Sequence, residues 1–329
     1  MSQPRRPMPA PLKMPKPGLW RRTPPAIFPP IMGLFGLGLA WRAASTNLGV
    51  PPLGDMILGA TALLFAFALV AYLAKTFRRG LTLVEDLRIL PGRAGVGAAS
   101  LCLMLLTAAL VPLAPGAAQA LVTITFMLHV GFVVILLRVL ISLPPEGRVV
   151  TPVYHLNFVG FILLGLSLNP LGRQDLSLLL LWTMIPVAGV VWAVSLRQII
   201  TRIPPAPLRP LLAIHLAPAS LFATVAHGAG LPVMALVFVG IGGAILLALL
   251  VSIRWITQSG FSPLWGAFTF PVAAYAGALI HVSGGVGPLG IAGGLVLVAA
   301  SLFIPVIAYR VMKAWASGDL AIKTNAAEA

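Results

Sequence analysis

Ten apolar runs, each about long enough to cross a bilayer and nearly free of charge, leave this chain few folds to adopt. They cover roughly 26–44, 53–74, 94–112, 118–142, 152–169, 176–196, 210–226, 231–255, 261–282 and 287–312. A helix rises about 1.5 Å per residue, so about 20 apolar residues cross the hydrocarbon. No water is available there to satisfy the backbone, so such runs must pair their own amides, as helices do. Only 9% of the 329 residues are charged, against about a quarter in a soluble domain. The expected fold is an all-α membrane protein of ten transmembrane helices.

The basic residues orient those helices. Of the 22 lysines and arginines, all but Arg42 and Arg173 fall in alternate connections or in the two tails. Positive charge is retained on the cytoplasmic side, so both termini are expected there. The net charge of +15 then reports topology and contact with the bilayer, and nucleic acid is not an expected partner. Residues 1–24 are rich in Pro, Arg and Lys without an apolar stretch. They read as a disordered basic cytoplasmic tail near anionic lipid and not as a cleaved leader. The membrane domain is expected over 25–313, with a C-terminal cytoplasmic tail over 314–329.

The outward connections of spans three and four, seven and eight, and nine and ten are short (APGAA, HGAG, SGGVG). The chain reads as five helical hairpins in tandem, repeating every 50–70 residues or so. Odd and even spans differ in texture. Pro30, Pro218 and Pro271 interrupt spans one, seven and nine, where small residues are also frequent. Proline removes a backbone donor, so these positions are expected to kink their helices. Spans two, four and eight are richer in Leu, Val and Ile. Broken, small-residue helices suit protein-facing or cavity-facing positions. An inner ring of odd helices inside an outer ring of even ones is therefore expected. Span three, which has no internal proline, and the even spans with Pro186 and Pro305 depart from this pattern.

The acids are Asp55, Glu85, Asp86, Glu146, Asp175, Asp319 and Glu328, all in loops, tails or at a span's end. Cation channels and proton-driven carriers commonly hold carboxylates at membrane depth. A conduit without them does not repel an anion, and positive ends of broken helices would favour one. Enzymes that bind metal through paired acids lack their DxxD here, and a retinal protein lacks its buried lysine. Cys102 is the single cysteine, so no disulfide within the chain and no cysteine metal site is expected. No cofactor is expected; two histidines could ligate haem, but no further motif supports it. A pure scaffold is the plain alternative.

His155 and His215 stand near the cytoplasmic ends of odd spans. Each could line a conduit and gain charge at low pH, or pack as a neutral, hydrogen-bonded ring. Asn157, Ser220, Thr224, Thr269 and Tyr275 are the neutral polar residues of odd spans. Each could equally bond its own helix. His129 is expected to pack internally, and His227 and His281 to lie at the outer ends. In FTFPVAA, Phe268 and Phe270 lie about 200° apart around a helix, so only one can face an axis. Geometry alone does not choose between them.

FPPIMGLFGLGLAW in span one, TPVYHLNFVGF in span five, IHLAPAS in span seven and LWGAFTFPVAA in span nine together resemble one family. It is the tellurite-resistance and dicarboxylate transporter family, which includes bacterial TehA, fungal malate permeases and plant slow anion channels. The resemblance runs from about Pro25 to Met312. It implies five hairpins around a quasi-fivefold axis, odd helices lining a pore in each protomer, a homotrimer, and a multi-pass location in a bacterial inner membrane. It implies passage of small inorganic or carboxylate anions, such as chloride, nitrate, malate or sulfite, and links to tellurite resistance. It places the pore gate at Phe270. His155, Asn157, His215, Ser220 and Thr269, read from the odd spans themselves, are the candidate lining. The long Pro-rich N-terminus and the two histidines depart from the family pattern. The histidines raise a proton-coupled dicarboxylate or sulfite exporter as an alternative.

Overall fold

A computed structural model describes residues 18–329; most of the basic tail expected over 1–24 lies outside them. The described chain is helical. Its α-helices are α1 (Phe28–Leu48), α2 (Leu53–Arg78), α3 (Leu81–Arg88), α4 (Leu90–Leu110), α5 (Pro115–Ser142), α6 (Gly165–Leu168) and α7 (Gln174–Thr201). There follow α8 (Leu216–Gly228), α9 (Pro232–Val251), α10 (Ile253–Ile256), α11 (Thr269–Ser283), α12 (Gly287–Ala316) and α13 (Asp319–Lys323). Among the described residues, nine helical runs are long and apolar enough to cross a membrane, with a shorter apolar run at His155–Leu168.

Burial sorts these runs into two kinds. In the most apolar window of Pro25–Leu48, Leu90–Leu110, Ala206–Gly228 and Pro263–Ser283, 61–72% of residues are buried within the protein. In the five other long runs the share is 22–33%. The first set comprises spans one, three, seven and nine, which form the interior. The second set comprises the even spans, whose Leu, Val and Ile are exposed on the outer surface, as suits lipid-facing helices. At the centre, α1 packs against α2, α4, α11 and α12, and α11 packs against α8.

The prolines mark a change of winding. A 3-10 segment at Pro25–Ile27 runs into α1, one at Ala206–His215 into α8, and one at Pro263–Phe268 into α11. Pro30, Pro218 and Pro271 each stand third in the α segment that follows. In the first turn a missing N–H costs little, because those donors have no partner within the α-helix. The break expected mid-span is thus a 3-10-to-α junction, with the proline just inside its α side.

Span five is the least regular. His155–Val159 winds as a π-helix, Gly160–Leu164 as 3-10 and Gly165–Leu168 as α. His129 of α5 fastens the π turn by donating from Nε2 to the Asn157 carbonyl at 3.1 Å. Ser100 of α4 holds the other ring nitrogen at 2.8 Å. A π turn leaves backbone groups out of the regular ladder, and this outer-helix histidine takes one of them up. The C-terminus reaches the segment before α1, where the Ala329 N–H donates to the Arg21 carbonyl at 2.9 Å.

Candidate functional site

Two cavities follow one another along the interior spans. The first, of about 60 Å³, is bordered only by residues of spans one, three, five, seven and nine. The second, of about 570 Å³, lies nearer the opposite end. On α1, Met32 borders the first and Leu39 the second; on α4 the pair is Leu101 and Ala108. In span five it is Leu163 and Gly165, on α8 Leu221 and Thr224, and in span nine Pro271 and His281. Five segments that share both cavities in the same order enclose one line through the protein.

Phe270 is buried and borders the first cavity. Its ring rests on Gly36 of α1, where an added Cβ would stand 2.9 Å from the ring carbon Cδ2. A side chain there would force the ring to shift. Phe268 turns elsewhere, edge-on to Trp265 with ring centroids 5.7 Å apart. The placement of the two rings follows from the helical angle between them: once one faces the cavity, the other cannot.

The polar candidates separate into three groups. Thr269, Ser220 and Tyr275 are spent on packing. Thr269 Oγ1 donates to the Gly266 carbonyl at 2.7 Å and sits against Gly33 of α1. Ser220 Oγ donates to the Leu216 carbonyl at 2.8 Å, and the Tyr275 hydroxyl to the Val239 carbonyl at 2.9 Å. Asn157 is buried beside Gly97, outside both cavity walls. Thr224, His227 and His281 border the second cavity together with Arg42 and Asn169. Arg42 bonds Asp55 at 2.5 Å and the Ala109 carbonyl at 3.1 Å.

His155 and His215 form the third group. They lie 60 residues apart in sequence, yet His155 Nε2 and His215 Nδ1 are 2.9 Å apart. His155 borders the first cavity. Trp192 of α7 holds both: its ring packs on His155 at 5.6 Å, and its Nε1 donates to the His215 carbonyl at 3.2 Å.

The positive helix ends expected from the sequence are not free. The first N–H of α1 is taken by the Pro25 carbonyl, that of α8 by Ala213, and that of α11 by Gly266. The 3-10 segments use the donors that an open helix terminus would offer an anion. Polar side chains along the line are His155 in the first cavity, with His215 bonded behind it, and Arg42, Asn169, Thr224, His227 and His281 in the second. Sequence reasoning missed Arg42 and Gly36 as parts of the site. A signal existed for Arg42, one of two basic residues on the sparsely charged side.

No curated protein matches the chain in sequence. The family model described as voltage-dependent anion channel, SLAC1, matches residues 22–312. That range takes in both cavities and every span that walls them. Interior helices around an acid-free line and a match over this range agree on one assignment: the chain belongs to the SLAC1 family of membrane proteins for anion transport.

Proposed function

We propose that small anions pass through the centre of each protomer, from one cavity to the other, and that the Phe270 ring closes the way between them. The observation that carries this reading is the pair of cavities in line, shared by the same five spans with Phe270 and Gly36 between. Ten spans in five hairpins around a quasi-fivefold axis would bring those segments together. The chain would sit in a bacterial inner membrane with both termini cytoplasmic, as a homotrimer with one path per protomer. Candidate cargoes are chloride and nitrate, C4-dicarboxylates, sulfite or tellurite-related anions. The process is passage and involves no covalent chemistry. Neither cavity wall holds a carboxylate, so nothing at the path repels negative charge. The test is anion flux into proteoliposomes. Phe270→Ala should raise it about tenfold or more, equivalent to about 1.4 kcal/mol off the barrier. A correctly folded variant that conducts no faster than the parent removes Phe270 from the gate.

A further inference from the structure

We infer that the His155–His215 pair binds one proton and that the first cavity takes a small monoanion together with that proton. This deepens the anion-passage reading and rests on it.

The geometry is specific. Both rings are buried, and they are bonded to each other through His155 Nε2 and His215 Nδ1 at 2.9 Å. Among the described residues, the two outer nitrogens, His155 Nδ1 and His215 Nε2, find no partner. A buried ring nitrogen without a partner is uncommon and asks for an explanation. Two neutral imidazoles hold two N–H protons among four nitrogens. One proton lies in the shared bond. The ring that donates it has a bare outer nitrogen, and the ring that accepts it keeps an outer N–H. An arriving proton binds the bare outer nitrogen. The shared proton then crosses to the second ring, and that ring releases its outer proton. One proton enters, one leaves, and no electrons are exchanged. In the charged state the pair is a cation held by a charge-assisted hydrogen bond.

Among the described residues, no other charged side chain borders this cavity. Of the ionisable groups on the elements around the pair, His129 of α5 bonds the Asn157 carbonyl and Ser100, Arg93 of α4 bonds the Gly147 carbonyl from behind the wall, and Tyr154 bonds the Arg148 carbonyl. Arg209 bonds the Pro204 and Trp255 carbonyls and Gln258. Cys102 lies against the Phe28 carbonyl, and Tyr275 bonds Val239. Arg173 and Asp175 pair at the far end of α7, while Arg197 and Arg254 are exposed. His227 and His281 face the second cavity. The remaining wall of the first cavity is almost wholly apolar. An unpaired anion is costly in such a place. A protonated pair offsets one negative charge and no more. The class of cargo follows: monoanions are accommodated, and dianions are left half-neutralised.

Proteoliposomes loaded with a pH dye and given an inward nitrate gradient test this, because nitrate does not cross lipid as a neutral acid. The parent should acidify the lumen as nitrate enters, with about one proton per nitrate. His155→Gln and His215→Gln keep a hydrogen-bonding side chain that takes no proton. In variants that elute as the parent does, protons moved per nitrate should fall about tenfold. Nitrate uptake by the parent without a pH change overturns the inference and leaves the anion reading standing. Both variants moving protons at the parent's ratio also overturns it. No movement of nitrate, chloride or malate by the parent or by Phe270→Ala removes the anion reading itself.

Discussion

Two buried polar clusters in this protein differ in one respect, and the difference separates structure from function. In the first, Lys75 and Asp86 have fully buried side chains 2.6 Å apart. Asp86 Oδ2 also accepts from the Tyr72 hydroxyl at 2.9 Å, and its Oδ1 from the Ala327 N–H at 2.9 Å. The lysine ammonium further reaches the Ala327 carbonyl and lies 4.8 Å above the Tyr72 ring. Every charge is spent. In the second, His155 and His215 satisfy each other and leave one nitrogen apiece unused. Closed networks rigidify a fold, while open valences are available to a proton or a ligand. Burial is common to both clusters; unused bonding capacity is found in the histidine pair.

The largest effect should come from breaking the closed cluster. Asp86→Ala leaves the Lys75 ammonium buried without its counter-ion, a change that costs about 3–5 kcal/mol. The expected result is a protein that fails to elute as a folded species in detergent or melts far below the parent. Replacing both residues together, as Lys75→Met with Asp86→Leu, should recover much of that loss, since no charge is then left alone. Histidine-to-glutamine changes in the open pair should move the melting temperature far less. If His155→Gln destabilises as much as Asp86→Ala, the contrast between the clusters is wrong.

A smaller effect should follow from removing the last three residues. That deletes Ala327, which donates to Asp86 and accepts from Lys75. The ion pair remains but loses a backbone partner, at a cost of about 1–3 kcal/mol. Thermal unfolding should shift accordingly, while the proton-to-anion ratio set by the histidine pair should stay at the parent's value.

Gly36→Ala probes the wall between the cavities. The new methyl would push the Phe270 ring away from α1 and toward the path. Anion flux should fall about threefold, and the same change in a Phe270→Ala background should have no effect, because coupled neighbours are not additive. An equal fall in both backgrounds would mean that Gly36 acts on something other than the ring.

The membrane fold was legible because it depends on run length and charge count, which are local. Interior and exterior spans were legible in part: small residues marked the buried set and branched aliphatics the exposed set, while proline misled at span three, which lacks an internal one, and at the exposed spans with Pro186 and Pro305. What escaped depended on distance in three dimensions. Asp86 reads as a loop acid between two helices, yet Tyr72, Lys75 and the returning C-terminus all bond it. The histidines were visible singly, but their bond requires spans five and seven to meet at a π turn and a 3-10 segment. The prolines announced a missing donor without revealing the 3-10 winding before them, so the expected open helix ends proved to be occupied.

The smallest effect concerns the second cavity, where the comparison takes an intermediate form. Arg42 has its partner in Asp55, yet its side chain is about a quarter exposed and still borders the cavity. A partly solvated pair contributes little stability, so Arg42→Gln should leave the melting temperature almost unchanged. It would, however, leave Asp55 as an unbalanced negative charge near a space that anions must cross. Entry from that side should slow about two- to threefold at low ionic strength, and the deficit should vanish near 1 M salt, where the screening length is about 3 Å. Asp55→Asn should act in the opposite direction. The sign of that pair of results distinguishes a cavity on the anion's route from one that merely meets water: a bystander cavity would give the same flux for both variants at every salt concentration.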